Sequence, residues 1–310
     1  MKAVRLYTFG DPSVLVYEEA PQPNPGRGEV LVRVHAAGVN PADWKIRQRG
    51  PWTDWGGFPL ILGWDISGVI EAIGPEVSSF KVGDAVYGMV RFPQQGAAYA
   101  EYVAAPADQL ALKPTAIDHV RAAAVPLAAL TAWQALFDTA NLTAGQTVLV
   151  HAAAGGVGHF AVQLAKWKGA TVLDTASARN VELLGELGVD CAIDYTAAPF
   201  ETIAHELDVV LNTVDSEVLS RSWSTLKPGG FLISIAGQPS PEQAAAHRVQ
   251  AKNILVHTSA AQLAELAGLI DAGHINPLIE TVLPLSDAAR AHTIGERGRT
   301  RGKIVLRVVE

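Results

Sequence analysis

An apolar strand, Thr147–His151, runs into the small-residue turn Ala152–Val157 and then into the amphipathic segment Gly158–Lys168. That order of residue types can seat a pyrophosphate. Gly155 and Gly156 let backbone amides approach an anion, and Gly158 allows close packing of helix on strand. The free N–H groups and dipole of the helix start, reached through Ala154 and Val157, face the negative charge. Ala153 occupies the first glycine position of G-x-G-x-x-G, so the pattern gains its weight from the strand before it and the helix after it. At the ribose end two readings stand open. Asp174 lies 19 residues after Gly155, where an acid would bind a ribose 2′-hydroxyl and select NAD. Ser177 and Arg179, in the loop that follows, offer a hydroxyl and a guanidinium fork to a 2′-phosphate and would select NADP.

The elements that must position this turn alternate strictly. Strand Thr147–His151 and helix Gly158–Lys168 are followed by strand Ala170–Asp174, helix Ala178–Leu187 and short strand Cys191–Asp194. Strand Leu207–Asn212, helix Glu217–Leu226 and strand Gly230–Ala236 come next, and the strands are apolar on both faces. Such βαβ units predict a parallel sheet covered on both sides. Residues before about 115 read differently: Val30–Val34, Gly68–Ile73, Asp84–Tyr87 and Tyr99–Ala104 are short strands between Gly/Pro turns, the pattern of a small barrel. Val120–Asp138 reads as one Ala/Leu-rich helix. The tail adds strand Ile254–His257, helix Ala261–Ala272 and strand Lys303–Val309, the last expected to pair back into the first domain.

The bulk numbers bound the function. The 310 residues are long enough for two domains, 49% of them are hydrophobic, and the net charge of -7 comes with no basic cluster. That excludes nucleic acid and an anionic membrane as partners. Cys191 is the only cysteine, so no intrachain disulfide can form, which fits a reducing, cytoplasmic setting. The N-terminal residues lack the apolar core of a signal peptide, and no apolar run supports a membrane span.

The motifs now in hand, taken in order, resemble the zinc-independent quinone oxidoreductase branch of the medium-chain dehydrogenase/reductase superfamily. They are Ala36–Gly50 (AAGVNPADWKIRQRG), Pro59–Gly74 (PLILGWDISGVIEAIG), Phe80–Gly88 (FKVGDAVYG) and Ala97–Val103 (AAYAEYV). Further on come Pro126–Leu136, Ala152–Gly158 (AAAGGVG), Leu226–Gly230 (LKPGG) and Arg301–Val308 (RGKIVLRV), so the likeness spans nearly the whole chain. The resemblance implies an α/β fold with a GroES-like β-rich catalytic domain (1–116), a doubly wound, parallel-sheet Rossmann domain (117–257) and a C-terminal segment (258–310) that returns to the first domain. It places the NAD-selecting acid of the superfamily at Ala176, which favours NADPH, with Ser177, Arg179 and Tyr195 around the 2′-phosphate. Asn40, Thr131 and Lys303 would line the nicotinamide end. Asn212, Thr213 and Val214, with Ile235, Ala236 and Gly237, would flank the cofactor. It also implies a homodimer joined through Rossmann-sheet edges, at Phe231–Ala236 or Ile254–Thr258.

Zinc-dependent relatives carry a cysteine at the position of Asn40 and a histidine and glutamate at those of Trp64 and Asp65, so no catalytic zinc is expected. A four-cysteine structural zinc site cannot be built from Cys191 alone. Without a Lewis acid, what remains is hydride transfer to an acceptor that is already electron-poor, a quinone or an α,β-unsaturated carbonyl compound. Candidates for the proton are Asp43, Lys45 or water, since the tyrosines of some relatives are replaced here by Lys45 and Trp52. Trp44, Trp52, Trp64 and Phe92 are candidate walls for a flat substrate. Two alternatives share the fold: an enoyl-thioester reductase, and an NADPH-binding redox sensor or structural protein with little turnover.

Overall fold

The computed structural model describes residues 1–309 and divides the chain into two compact units, 1–130 together with the stretch from His257 onward, and 131–256. In the first unit the chain forms β1 (Lys2–Leu6), β2 (Val16–Glu19), β3 (Glu29–Val39), α1 (Pro41–Arg49), β4 (Leu60–Ile61), β5 (Asp65–Ile73), β6 (Ala85–Met89), β7 (Tyr102–Pro106), β8 (Leu110–Leu112), α2 (His119–Ala123) and the start of α3 (Pro126–Trp133), whose last three residues belong to the second unit. The second unit carries β9 (Thr147–His151), α4 (Gly158–Trp167), β10 (Thr171–Ala176), α5 (Val181–Glu186), β11 (Cys191–Asp194), β12 (Leu207–Asn212), α6 (Ser216–Ser222), β13 (Leu226–Ser234), α7 (Pro241–His247) and β14 (Gln250–Asn253). The tail returns to the first unit with α8 (Ala260–Asp271), β15 (Ile279–Pro284), α9 (Ala288–Glu296) and β16 (Lys303–Arg307).

The first unit is built on β3, which is buried over most of its length and is paired with β5 along one edge and with β7 and then β16 along the other. A seven-stranded sheet runs β15-β16-β3-β5-β6-β8, with β7 off the path, and a smaller sheet runs β2-β1-β4. β16 pairs antiparallel with β3, Ile304 opposite Val39, so the last strand does close the first unit as its sequence motif implied.

The second unit is a six-stranded parallel sheet in the order β11-β10-β9-β12-β13-β14, the doubly wound arrangement. One face is sealed by Leu149, Ile193, Phe200, Val210 and Leu232 against Leu219 and Trp223 of the α6 segment.

Three local expectations change. Val120–Asp138 is two helices, α2 and α3, followed by a wider-wound turn at Gln134–Thr139. Pro126 starts α3 because its missing N–H is harmless in a first turn but would break an internal one. The last strand of the parallel sheet is Gln250–Asn253 rather than the apolar Ile254–His257. An edge strand is hydrogen-bonded on one side only, so polar residues serve there. Phe231–Ser234 lies inside the sheet, paired with β12 and β14, so it offers no free edge; the edges are β14 and β11.

Candidate functional site

The glycine turn, the Ser177–Arg179 loop and the loops after Asn212 and Ser234 lie at the carboxyl ends of the parallel strands of the second unit, whereas Asn40 and Lys303 belong to the first unit and Thr131 to α3. β9 ends at His151 and enters the turn through Ala152, which holds a positive φ of 51°. The Gly155 N–H donates to the Ala152 carbonyl (2.9 Å), and the His159 N–H donates to the Gly155 carbonyl (3.2 Å) as α4 begins. A Cβ on Gly158 would lie 2.4 Å from the Ala152 oxygen and 2.6 Å from Ala153 Cα, so only glycine lets the helix start this close under the turn. The Thr213 hydroxyl ties the loop after β12 to the His151 carbonyl (2.7 Å). Asn212 is buried and spends its amide on Asp215, Ser234 and Ala236, so it fastens the loops after β12 and β13 together and presents backbone there rather than a side chain. Val214 is exposed beside it, and Ile235, Ala236 and Gly237 form the corresponding loop after β13. Thr131 is buried on α3.

Asp174 does not stand at the strand end. It sits within β10 opposite Val150 and Ala192, is 0% exposed, and neither carboxyl oxygen has a hydrogen-bond partner among the described residues. Burial pushes its carboxyl up to about 7. The loop where a ribose binder is needed starts after Ala176. Ser177 opens it, Arg179 is exposed in the next turn, and the Tyr195 N–H donates to the Ala176 carbonyl (3.2 Å), which sets this 58%-exposed ring beside the same loop. Ser177, Arg179 and Tyr195 therefore gather at one end of one strand pair.

In the first unit, Asn40 caps α1 and is 1% exposed. Its backbone N–H donates to Asp43 Oδ2 (2.7 Å), half of a capping box, and its Nδ2 donates to Asp65 Oδ2 (2.9 Å). Its Oδ1 accepts from the Lys303 ammonium, which also lies 3.7 Å from Asp65 Oδ2. The other Asp65 oxygen accepts the Leu127 N–H (2.8 Å) in the first turn of α3, a favourable place for a carboxylate. Burial raises Asp65 and lowers Lys303 from their ordinary values, against the pull of each on the other: the low dielectric disfavours both ions more than their pairing favours them. Asp43 is fully buried and pushed up to about 7, first by desolvation, against the opposing hydrogen bonds from Asn40 and the Tyr99 hydroxyl. Tyr99 in turn lies 3.2 Å from His292 Nε2, and burial brings His292 down to about 3 and Tyr99 well above its usual range. Arg47, on the same helix face, is wholly buried and pairs with Glu296 (2.5 Å).

Lys45 is elsewhere: α1 buries Asp43, Ile46 and Arg47, and Lys45 stands on its exposed face. Trp44 packs over Gly295 of α9, which has no side chain to stand in the way, and edge-on to His292. The other aromatics do cluster. Trp64 meets Phe92 and Trp55 edge-to-face, Phe92 meets Trp52, and Trp64 Nε1 donates to the Gln94 carbonyl (2.7 Å). Trp64 is fully buried, so within this cluster it is Trp52, 52% exposed, that presents a surface. Asp65, Tyr99, Arg47 and His292 were absent from the sequence-derived candidates. The available signal was charge inside otherwise apolar segments, strongest for Asp65 at the start of the DISGVIEAI strand.

A GroES-type β-unit with a glycine-turn parallel sheet is the architecture of the medium-chain dehydrogenases/reductases. The alcohol dehydrogenase GroES-like domain matches residues 26–115, and the zinc-binding dehydrogenase family matches residues 187–306. The structure of the quinone oxidoreductase from Coxiella burnetii superposes with a TM-score of 0.92 at 36% identity, covering 100% of this chain and 99% of that one. Two plant proteins are each 33% identical over 99% of this chain and 79% of their own length: the 2-methylene-furan-3-one reductase of Solanum lycopersicum and the chloroplastic NADPH-dependent alkenal/one oxidoreductase of Arabidopsis thaliana. The chain belongs to the medium-chain dehydrogenase/reductase superfamily, as a quinone oxidoreductase-like member.

No helix among the described residues is long and apolar enough to cross a membrane, and no group of three or more His, Cys, Asp or Glu is arranged to hold a metal ion.

Proposed function

We propose that this protein is an NADPH-dependent oxidoreductase that reduces quinones or α,β-unsaturated carbonyl compounds without zinc. The observation that carries it is the convergence of the turn at Ala154–Gly158, the loop at Ser177–Arg179 with Tyr195, and the loops at Thr213–Val214 and Ile235–Gly237 on the carboxyl end of one parallel sheet. The glycine turn suits a pyrophosphate, since Gly158 is what lets α4 and its free N–H groups start this close beneath the turn after β9. Ser177 and Arg179 hold the 2′-phosphate, with Tyr195 alongside; the interior position of Asp174 leaves the strand end without an NAD-selecting acid. Bound NADPH supplies the hydride. Asn40 and Lys303 are the nicotinamide-end candidates of the first unit and Thr131 that of the second, and Trp52 offers an exposed apolar ring to a planar acceptor.

Freedom from zinc is supported by what fills the ligand positions of the zinc relatives. Asn40 and Asp65 are engaged with the Lys303 ammonium, and Trp64 is buried with its N–H bonded to Gln94. The same reading includes a homodimer through the free edge at β14, where Leu255 is exposed just past the strand, and a cytoplasmic setting. The test is NADPH consumption with 1,4-benzoquinone, a small enone and an enoyl thioester, beside a zinc assay of the purified protein. Turnover of the quinone or enone without stoichiometric zinc is expected. Tightly held zinc, or turnover of the thioester alone, would overturn the assignment.

A further inference from the structure

His151 ends β9 immediately before the glycine turn and is 0% exposed. A buried imidazole costs free energy unless its ring nitrogens are paired. Both are paired: Nδ1 lies 2.9 Å from the Thr175 hydroxyl and Nε2 lies 2.9 Å from the Ser222 hydroxyl of α6. The partners settle where the ring hydrogen sits. Ser222 donates its own hydroxyl hydrogen to the Val218 carbonyl (2.7 Å), so it accepts from the ring, and the ring carries its hydrogen on Nε2. Nδ1 is then bare and accepts from Thr175. The charged groups facing the ring are Arg221 of α6, Asp215 after β12 and Glu201 before it; burial first, and Arg221 after it, bring His151 down to about 4 against the pull of the two acids, so the ring is uncharged at neutral pH.

The same residue ties together three loops of the dinucleotide site, all within the second unit. Its backbone continues into Ala152 and the glycine turn, and its carbonyl accepts the Thr213 hydroxyl of the loop after β12 (2.7 Å). Its ring grips Thr175, which stands opposite it in the parallel pairing of β9 and β10. Thr175 is followed by Ala176, whose carbonyl takes the Tyr195 N–H (3.2 Å), and then by Ser177. The Thr175 tie is thus a side-chain anchor two residues before the loop that carries Ser177 and Arg179.

We propose that His151 is a positioning residue for cofactor selection: its ring, through Thr175, sets the exit of β10 so that Ser177 and Arg179 meet the 2′-phosphate of NADPH. This rests on the NADPH reading above. The effect falls on one end of the cofactor. The 2′-phosphate is what distinguishes NADPH from NADH, so a displaced β10 exit weakens binding of the first and spares the second, whereas a general loosening of the sheet weakens both.

The test titrates wild type, Thr175→Val and Ser222→Ala with NADPH and with NADH, read by fluorescence. Thr175→Val keeps the side-chain shape and removes the hydroxyl. It should lose about 10-fold in NADPH affinity, the scale of one hydrogen bond lost with the Nδ1 left unpaired, and keep NADH affinity nearly unchanged. Ser222→Ala removes the partner on α6 but leaves the Thr175 tie, so it should keep the wild-type ratio of the two affinities. Independently of either nucleotide, ¹⁵N NMR of labelled histidine should show one ring, absent in His151→Gln, with its hydrogen on Nε2 and no titration between about pH 6 and about pH 9. An unchanged ratio or equal losses for both nucleotides in Thr175→Val, a ratio that falls as far in Ser222→Ala, or a His151 ring with its hydrogen on Nδ1 would overturn the proposal while leaving the oxidoreductase reading intact. A wild type that binds neither nucleotide, or that shows no preference for NADPH, would instead sink the NADPH reading.

Discussion

Asp174→Asn should stabilise the protein, and by more at high pH than at low. The carboxyl is buried inside β10 with no hydrogen-bond partner, and burial alone carries it from 3.8 to about 7. Because its folded value lies above its unfolded one, the folded state holds the proton over the wider range. Folding is therefore unpenalised below about pH 4, and stability is lost as pH rises from there through about 7. At about 1.4 kcal/mol per decade, the ionised carboxyl costs roughly 4 kcal/mol at pH 8 and roughly 1.5 at pH 5. Asparagine has nearly the same shape and no charge to bury. Its own unpaired amide carries a cost, but that cost does not change with pH, so it cancels between the two conditions. Denaturant unfolding of wild type and variant at both pH values should thus show a stabilisation about 2–3 kcal/mol larger at pH 8 than at pH 5. An equal effect at both, or a variant less stable than wild type only at pH 8, would refute the idea that Asp174 is an unpaired buried carboxyl.

Gly158→Ala should cost about 1–3 kcal/mol of stability and weaken NADPH binding, because the atoms its Cβ meets are backbone and cannot swing away; thermal unfolding and fluorescence titration measure both. Arg179→Gln should lower NADPH affinity about 10–100-fold while leaving NADH affinity nearly unchanged, the scale of one charge-assisted hydrogen bond lost. Tyr99→Phe should destabilise the first unit by about 1–3 kcal/mol, since it strips the hydroxyl shared by the buried Asp43 and His292; chemical denaturation reads this, and unchanged stability would count against the buried network.

The parallel sheet and its glycine turn were legible in the chain because both rest on local rules. Strands buried on two faces must be apolar throughout, and a helix that starts against a strand needs glycine at the contact. What the tertiary structure alone decided is which polar groups meet. Asn40 and Lys303 lie 263 residues apart and touch only because β16 closes on β3. Asp174 looked like a ribose ligand by spacing, and the register of β10 turns it into a buried, unpaired carboxyl. Lys45 and Trp44 share α1 with Asp43, yet the face that α1 buries sends one to solvent and the other against α9. Sequence spacing fixes distance along the chain, and a site is defined by distance through space, which long-range strand pairing sets.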